Sequence, residues 1–557
     1  MAITSASFKQ IGKISLTSLA IASALYSASA SAQLTQNITL GNPKALALGH
    51  AVTADPPGID SIHFNPAGLA KIQGRQQQLK VLAAHITYDA KFGRQEIPDR
   101  VLEAYDNIAE LDENGVKETY PTDPVANTTS STADPVLMLP GSGLTPAPFL
   151  VVPFGGIAIE DPNYGWTFAT AAYSPQAIGY ERAENDPGSF QGQQVGISRI
   201  TYFAPSVGFH FSDELMIGAS IGFSWQGLGI KTKFRAPDST IAFIDEAAGD
   251  LGDGDPNREA LLSSIDPYDT VGTLQLELED ALSLSFNLGV LWEPTEWIAF
   301  GFVYQSEAKA DLEGDFSMNY NDEWLAMIEA LKKPGVGTLI TIINEGTVFN
   351  GERVERGNVS LEYILPAHMS FGTSIKVLPD LKVNLDFKWV DYAAWDSLDF
   401  KFSQNVDFLS VSNLVYQFGA STGDGDNADP DLMIIKRDYE SVWSWAIGFE
   451  YEVNDNLVVR WGYEPRESVI PDNRVDLLAP IAYADLYTVG FGYQLDAYSR
   501  FDVGFGYLHS EFDAAAGESQ NMNSNLPGRV VYNPYAFLSV EAETNAYIFA
   551  LSYDSKF

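Results

Sequence analysis

Few residues in this chain are spaced for covalent chemistry. The six histidines, His50, His63, His85, His210, His368 and His509, show no metal-ligand spacing. There is no cysteine, so disulfides and thiolate metal sites are excluded. No serine sits in a nucleophile-elbow motif. Asp424, Asp426, Asp429 and Asp431 lack the glycine and the terminal glutamate of a calcium loop and read as a solvated charge run. The expectation is therefore no catalytic residue, no metal and no cofactor. Binding chemistry is better represented. Lys231, Lys233 and Arg235 alternate along one segment of a strongly acidic chain. Such a trio could anchor a carboxylate. Its parity with Ile217, Ile221, Phe223 and Trp225 instead points it outward, towards lipopolysaccharide phosphates. Asp322 to Lys332 reads as an amphipathic helix with Trp324, Leu325, Ile328 and Leu331 on one face. That face could wall a greasy capture groove, pack against the loop at 236–272, or do both.

These residues need elements to hold them. From about residue 77 the chain reads as strands rich in aromatic, β-branched and small residues, many alternating with period two. In the last, Tyr547, Phe549, Leu551, Tyr553 and Phe557 share one face, and Ala546, Ala550, Ser552, Asp554 and Lys556 the other. Fourteen strands are expected: 77–90, 148–160, 164–175, 196–211, 214–235, 273–292, 296–317, 358–377, 381–404, 441–452, 456–468, 482–494, 498–510 and 543–557. Short turns such as Asp161-Pro162-Asn163 and Asn454-Asp455 alternate with connections of about 13 to 57 residues. Aromatics on one face, an even strand count and this asymmetry of turns describe an all-β, antiparallel transmembrane barrel with both chain ends in the periplasm. A soluble sandwich would bury the apolar face and has less use for aromatics at strand ends.

The start of the chain fits export. Lys9 and Lys13 precede a short apolar stretch, and Ala30-Ser31-Ala32 offers a cleavage site, so residues 1–32 read as a secretory leader. The stretch is too short to span a membrane as a helix. Formal charge is −40, or −42 once the leader and its two lysines are removed. That argues against nucleic acid as a partner, which requires basic clusters.

Residues 33–76 do not read as barrel wall. A Gly/Ala-rich run, Leu40 to Ala51, leads through a Pro/Gly turn region to Asn65-Pro66-Ala67. This segment resembles the N-terminal plug, or hatch, of the FadL-type transporters of long-chain fatty acids and aromatic hydrocarbons. Leu365-Pro366-Ala367 through Trp389 to Trp395-Asp396 resembles that family's strand pair with a tryptophan-rich end. Arg460-Trp461-Gly462-Tyr463 through Pro471 to Arg474, with Gly490 to Tyr493, resembles its penultimate strands and loop. Where the family often carries an Asp-Arg pair, this chain reads Ala484-Asp485. The resemblance implies three domains: a leader (1–32), a plug (33–76) and a barrel (77–557). It implies an outer-membrane carrier of hydrophobic molecules, monomeric and in contact with lipid and lipopolysaccharide, with Arg474 a further polar contact. A general diffusion porin is the alternative. Asn65, Pro66 and Ala67 would latch the plug. Pro148, Pro153, Pro175 and Pro205 cannot donate to a ladder and concentrate on strands two to four. The family is thought to release substrate sideways through a kinked third strand, which here implies Ser174, Pro175 and Gly179.

Overall fold

The computed structural model describes residues 37–109, 117–147, 150–238, 240–241, 244–245, 256–262, 266–333, 349–417, 429–524 and 533–557. The leader at 1–32, plug residues 33–36, Pro148, Asp424 and Asp426 lie outside them.

Fourteen antiparallel strands form a closed barrel. They are β1 (Arg75–Gln95), β2 (Leu150–Asp161), β3 (Trp166–Glu181), β4 (Gln194–Phe203 and Ser206–His210), β5 (Leu215–Phe234), β6 (Gly272–Thr295) and β7 (Ile298–Gln305 and Ala308–Tyr320). There follow β8 (Val354–Leu365 and His368–Leu378), β9 (Leu381–Val390 and Ser397–Phe402), β10 (Leu432–Lys436 and Val442–Asn454), β11 (Leu457–Arg466), β12 (Ala484–Gln494), β13 (Ser499–Ala514) and β14 (Leu538–Lys556). Closure is by β1 against β14, in register from Gln76↔Lys556 to Phe92↔Val540. Each described barrel strand has a neighbour on both sides, as a sheet in lipid requires, with the ladder interrupted in places.

Alternation along each strand sorts the side chains. In β14, Tyr547, Phe549, Leu551 and Tyr553 are exposed, while Ala546, Ile548, Ala550 and Ser552 are buried. Tyr463, Tyr487, Tyr507 and Tyr547 stand opposite one another on β11 to β14, a row of aromatics at one level. Tyr493, Phe501 and Tyr553 form a second row nearer the short turns. Two aromatic rows bracketing an apolar outer face make the belt of a lipid-embedded barrel. Among the described residues no helix is long and apolar enough to cross a membrane.

Proline interrupts the wall where expected and in places not expected. β3 bulges at Ser174-Pro175, where its register against β4 shifts between Tyr173 and Gln176. β4 breaks at Ala204-Pro205. β8 breaks at Pro366-Ala367, and β9 leaves the ladder between Val390 and Ser397. Beyond the barrel rim, helices Asp99–Ile108, Pro256–Leu262, Asp322–Leu331 and Asp407–Gln417 pack into a cap with its own apolar core, including Val101, Leu261, Ile328 and Phe408.

Before β1, residues 37–72 fold inside the lumen as two short helices, Pro43–Ala47 and Ser61–Phe64, and 3-10 turns. The first helix is begun by Asn42, whose side chain accepts from the Ala45 N–H (2.8 Å), with Pro43 in the first turn. The first barrel strand begins at Arg75, slightly earlier than the expected 77.

Candidate functional site

The lumen is occupied by the 37–72 segment, and the wall is shaped for it. A Cβ at Gly218 would collide with Pro66, one at Gly289 with Asn65, one at Gly301 with Thr53 and one at Gly462 with Leu48 and Gly49. Inward positions on successive strands are glycine because the plug backbone lies against them. Asn65 ties the two together. Its amide donates to the carbonyls of Thr53 (2.8 Å) and Val290 (3.1 Å), and its oxygen accepts from the Ala67 N–H at 3.2 Å. Pro66 and Ala67 start the turn that packs on β4 and β5. The Asn-Pro-Ala signature thus sits on the boundary between plug and wall.

Sequence reasoning missed the ionic half of this boundary. Asp386 of β9 accepts from the N–H groups of Val52 and Thr53 (2.9 Å each) and from the Thr53 hydroxyl at 2.8 Å. Glu464 of β11 meets His50 (2.8 Å), Lys388 (2.8 Å) and Arg466 (3.0 Å). Asp55 of the plug meets Lys44 (2.9 Å) and Lys382 (2.6 Å), and Lys382 continues to Glu450 at 2.6 Å. Lys80 holds Asp60 at 2.6 Å. The signal was present as charges alternating with apolar residues, Lys382, Asp386 and Lys388 against Val383, Leu385 and Phe387.

The opposite side has no such ties. The β2–β3 ladder stops at Gly155↔Ala172, so β2 residues from Leu150 to Phe154 are bonded to β1 alone. On its other side β3 pairs with β4 at Ala169↔Ser206 and again from Tyr173↔Thr201, with Ala204-Pro205 opposite the break. The Ser174 hydroxyl lies 2.9 Å from the Gln176 carbonyl inside the bulge and 2.7 Å from the Arg199 carbonyl across on β4. Plug residues Leu40, Ile59 and Ile62 cluster with Ala169, Ala171, Tyr173 and Ala204 behind the gap. One hydrogen bond, from the Thr39 hydroxyl to the Ser174 carbonyl (3.1 Å), crosses there. On the lipid side an apolar cleft of about 500 Å³ opens between Ile157, Phe168, Phe203, Pro205 and Ile221. Gly179, expected in the opening, is overlain instead by Val136 of a short hairpin, Val136–Leu139 with Gly143–Pro146.

Above the plug lies an apolar cavity of about 110 Å³ lined by Ile178, Val195, Leu228, Ile230, Tyr363 and Trp395 among others. Gln176, beside Pro175, lines it too and bonds the Tyr363 hydroxyl at 3.3 Å. Arg199, the register partner of Gln176, is buried and bonded to Ser285 at 3.2 Å, with no carboxylate among the described residues in ion-pair reach. Neighbouring Gln226 is buried with both polar atoms unpartnered. Nothing in the local sequence singled these two out.

Several expected sites are not assembled. Lys231 and Lys233 do lie on the outer face, half-exposed, and Lys233 bonds the Glu184 carbonyl. Arg235 departs from them. It turns inward and clamps Asp123 through two bonds (2.8 and 2.9 Å) beneath Phe190 and Tyr268, because β5 ends at Phe234 and alternation ends with it. Arg474 is likewise a loop staple, paired with Asp438 and Asn521. Both charges are spent on carboxylates of the protein itself, not on a ligand or lipopolysaccharide. Trp324, Ile328 and Leu331 are fully packed in the cap, with Trp324 stacked on Tyr320, and Leu325 is half-buried. The helix face is core and not the wall of an open groove, because the neighbouring loops close over it.

A barrel of fourteen strands filled by its own N-terminal segment narrows the comparison with known proteins. Residues 20–557 match the profile of the family described as "Outer membrane protein transport protein (OMPP1/FadL/TodX)". The chain belongs to that family. Its members transport hydrophobic compounds across the outer membrane. No curated protein sequence matches the chain at a significant level. Among solved structures, a Pseudomonas aeruginosa FadL homologue superposes with TM-score 0.63 at 16% identity, over 95% of this chain and 100% of that one. The Ralstonia pickettii toluene transporter TbuX gives TM-score 0.55 at 14% identity, over 94% and 99%. The Pseudomonas putida toluene transporter TodX gives 0.55 at 14%, over 93% and 99%. At these identities the likeness is one of fold.

Proposed function

We propose that this protein binds a hydrophobic solute in the apolar cavity above the plug and releases it sideways into the membrane through the seam at β2 to β4. The observation that carries this reading is the adjacency of cavity, bulge and lipid-facing cleft. Gln176 lines the cavity, Ser174-Pro175 interrupts the wall beside it, and the apolar cleft lies outside. A solute leaving this way never returns its apolar surface to water, which would cost about 25 cal/mol per Å². The plug turn at Ile38–Leu40 is the element that must shift. The toluene carried by two structural relatives supports a hydrocarbon-like substrate. Packing of the plug against glycine around the wall speaks against a general diffusion porin. In this reading the short turns and both chain ends face the periplasm, and the protein works as a monomer.

The chain has no cysteine, so a paired substitution is a clean test. Ala171→Cys with Ala204→Cys places thiols on the two sides of the break. Uptake of a radiolabelled hydrocarbon by cells carrying the oxidised variant should fall to the level of cells lacking the protein and recover on reduction. Full uptake through a verified cross-link would remove the seam from the path.

A further inference from the structure

The barrel wall has a second gap, on the far side from the seam. β8 and β9 pair at Val359↔Phe402 and Ser360↔Lys401, and again from His368↔Val390 downward. Between those points Leu361–Leu365 and Ser397–Phe400 face each other without ladder bonds, and residues 391–396 leave the wall altogether. The gap begins one residue above Trp389 and Trp443, which stand opposite each other at the outer aromatic level. It therefore opens where headgroups begin, above the apolar band.

One side chain fills the gap. The Trp395 indole N–H donates to the Ile364 carbonyl at 2.5 Å, taking the place of a missing ladder bond. Its ring packs edge-on to Tyr363 (5.1 Å between centroids) and stacks on Tyr439 at 5.7 Å. On the outer side lies a cleft of about 580 Å³, and on the inner side the apolar cavity. Tyr363, Trp395 and Leu398 line both, so a partition one side chain thick divides them. An indole is held here by one hydrogen bond and three ring contacts, the third an edge contact with Tyr392 at 5.7 Å. A continuous ladder would have to break at both ends to give the same opening.

We infer that this gap is a side entrance, with Trp395 as its door, admitting uncharged hydrophobic molecules from the outer membrane surface directly into the lumen cavity. The inference rests on the transport reading above and adds an entry point and a substrate class to it. The class follows from the charge of the mouth. Asp311, Glu313, Glu362, Asp396 and Asp399 line the cleft against a single cation, Lys401. Such a mouth repels a fatty-acid carboxylate and is indifferent to a hydrocarbon. The route is short: cleft, Trp395, Tyr363, then Gln176 at the β3 bulge, with Tyr363 and Gln176 already in hydrogen-bond contact.

The test uses the full chain in the outer membrane of cells and two fluorescent probes, uncharged N-phenyl-1-naphthylamine and anionic dansyl-undecanoate. Continuing the observed register places Glu362 opposite Asp399, both with outward-facing side chains. Glu362→Cys with Asp399→Cys should, once oxidised, reduce uptake of the uncharged probe to background, and reduction should restore it. Heat-modified gel migration checks folding. Unchanged uptake through this cross-link, while the Ala171/Ala204 cross-link still blocks, would overturn the side entrance and leave the transport reading standing. Unchanged uptake through both would overturn the side entrance and, with it, the lateral release through the seam. Trp395→Ala should speed entry of the uncharged probe, with Trp395→Phe intermediate; slower entry in both would overturn the door. Asp311→Lys with Glu313→Lys should raise entry of the anionic probe relative to the uncharged one by roughly ten-fold, the lower end of what focused surface charge does to capture rates. An unchanged ratio would overturn the charge selection.

Discussion

The plug meets two unlike walls. Towards β9 to β11 it is held by ions and backbone donors: Asp386 on Val52 and Thr53, Glu464 on His50, and Lys382 on Asp55. Towards β2 to β4 it is held by apolar packing and a few neutral hydrogen bonds, those of Thr39 on Ser174 and of His210 on the Ala70 carbonyl among them. Buried ionic contacts are lost all at once, since breaking a pair strands a charge in low dielectric. Apolar contacts lose free energy in proportion to area and re-form after sliding. On the proposed release path the ionic side stays and the apolar side yields. One of the two gaps in the ladder lies on this yielding side, directly against the plug. The difference teaches where motion is permitted without unfolding the barrel.

The comparison can be broken at its strongest point first. Glu464→Gln removes the charge shared by Lys388, Arg466 and His50 and leaves two buried cations with a neutral partner. We expect a loss of about 3–5 kcal/mol in stability, shared between the wall and the His50 seat of the plug, read as a lower unfolding temperature and raised single-channel conductance in planar bilayers. Conductance equal to that of the parent would show that the ionic side is not the anchor. On the other wall Thr39→Val deletes one hydrogen bond at similar volume, a change of about 1 kcal/mol. It should speed substrate release with little change in conductance. An effect on conductance as large as that of Glu464→Gln would erase the distinction between the walls.

The smallest effect is one of pH. Burial first, then nearby His368, Lys80 and Arg199, holds His63 well below the ordinary histidine value of 6.5. Its neutral ring bonds Asn37 in the seated plug at 2.9 Å. With a depressed pKa the stabilisation is present above pH 6.5 and is lost as pH falls below it, because the unseated state takes up the proton first. Conductance should therefore rise gently on acidification below that value, and His63→Asn should flatten the dependence. A rise with increasing pH would contradict the assignment.

Much of the barrel was legible in the residues because lipid imposes period two on every strand. The alternation of Tyr547, Phe549 and Leu551 with Ala546, Ala550 and Ser552 is copied directly into exposed and buried faces. Pro175 and Pro205 marked the weak seam for an equally local reason, the missing N–H. The candidate site was less legible. Arg235 shares the spacing of Lys231 and Lys233, yet one residue past the end of β5 it leaves their face and seals Asp123. Trp324 and Ile328 show a helical stripe that serves a capture groove and a packed core equally well, and only the neighbouring loops choose the core.

What the residues determined alone is the wall: strand number, which face meets lipid, one of the places where the ladder fails, and a segment at the start that is not wall. These depend on near neighbours, where alternation, proline and glycine act without reference to distant chain. Only the tertiary structure decided what meets inside. Asp386 with Thr53, Glu464 with His50, Gln176 with Tyr363, and Trp395 in the gap between β8 and β9 join residues far apart in the chain. Such pairings depend on barrel closure and on the depth at which the plug comes to rest. Both are set by the sum of many weak contacts around the ring, which no single stretch of sequence contains.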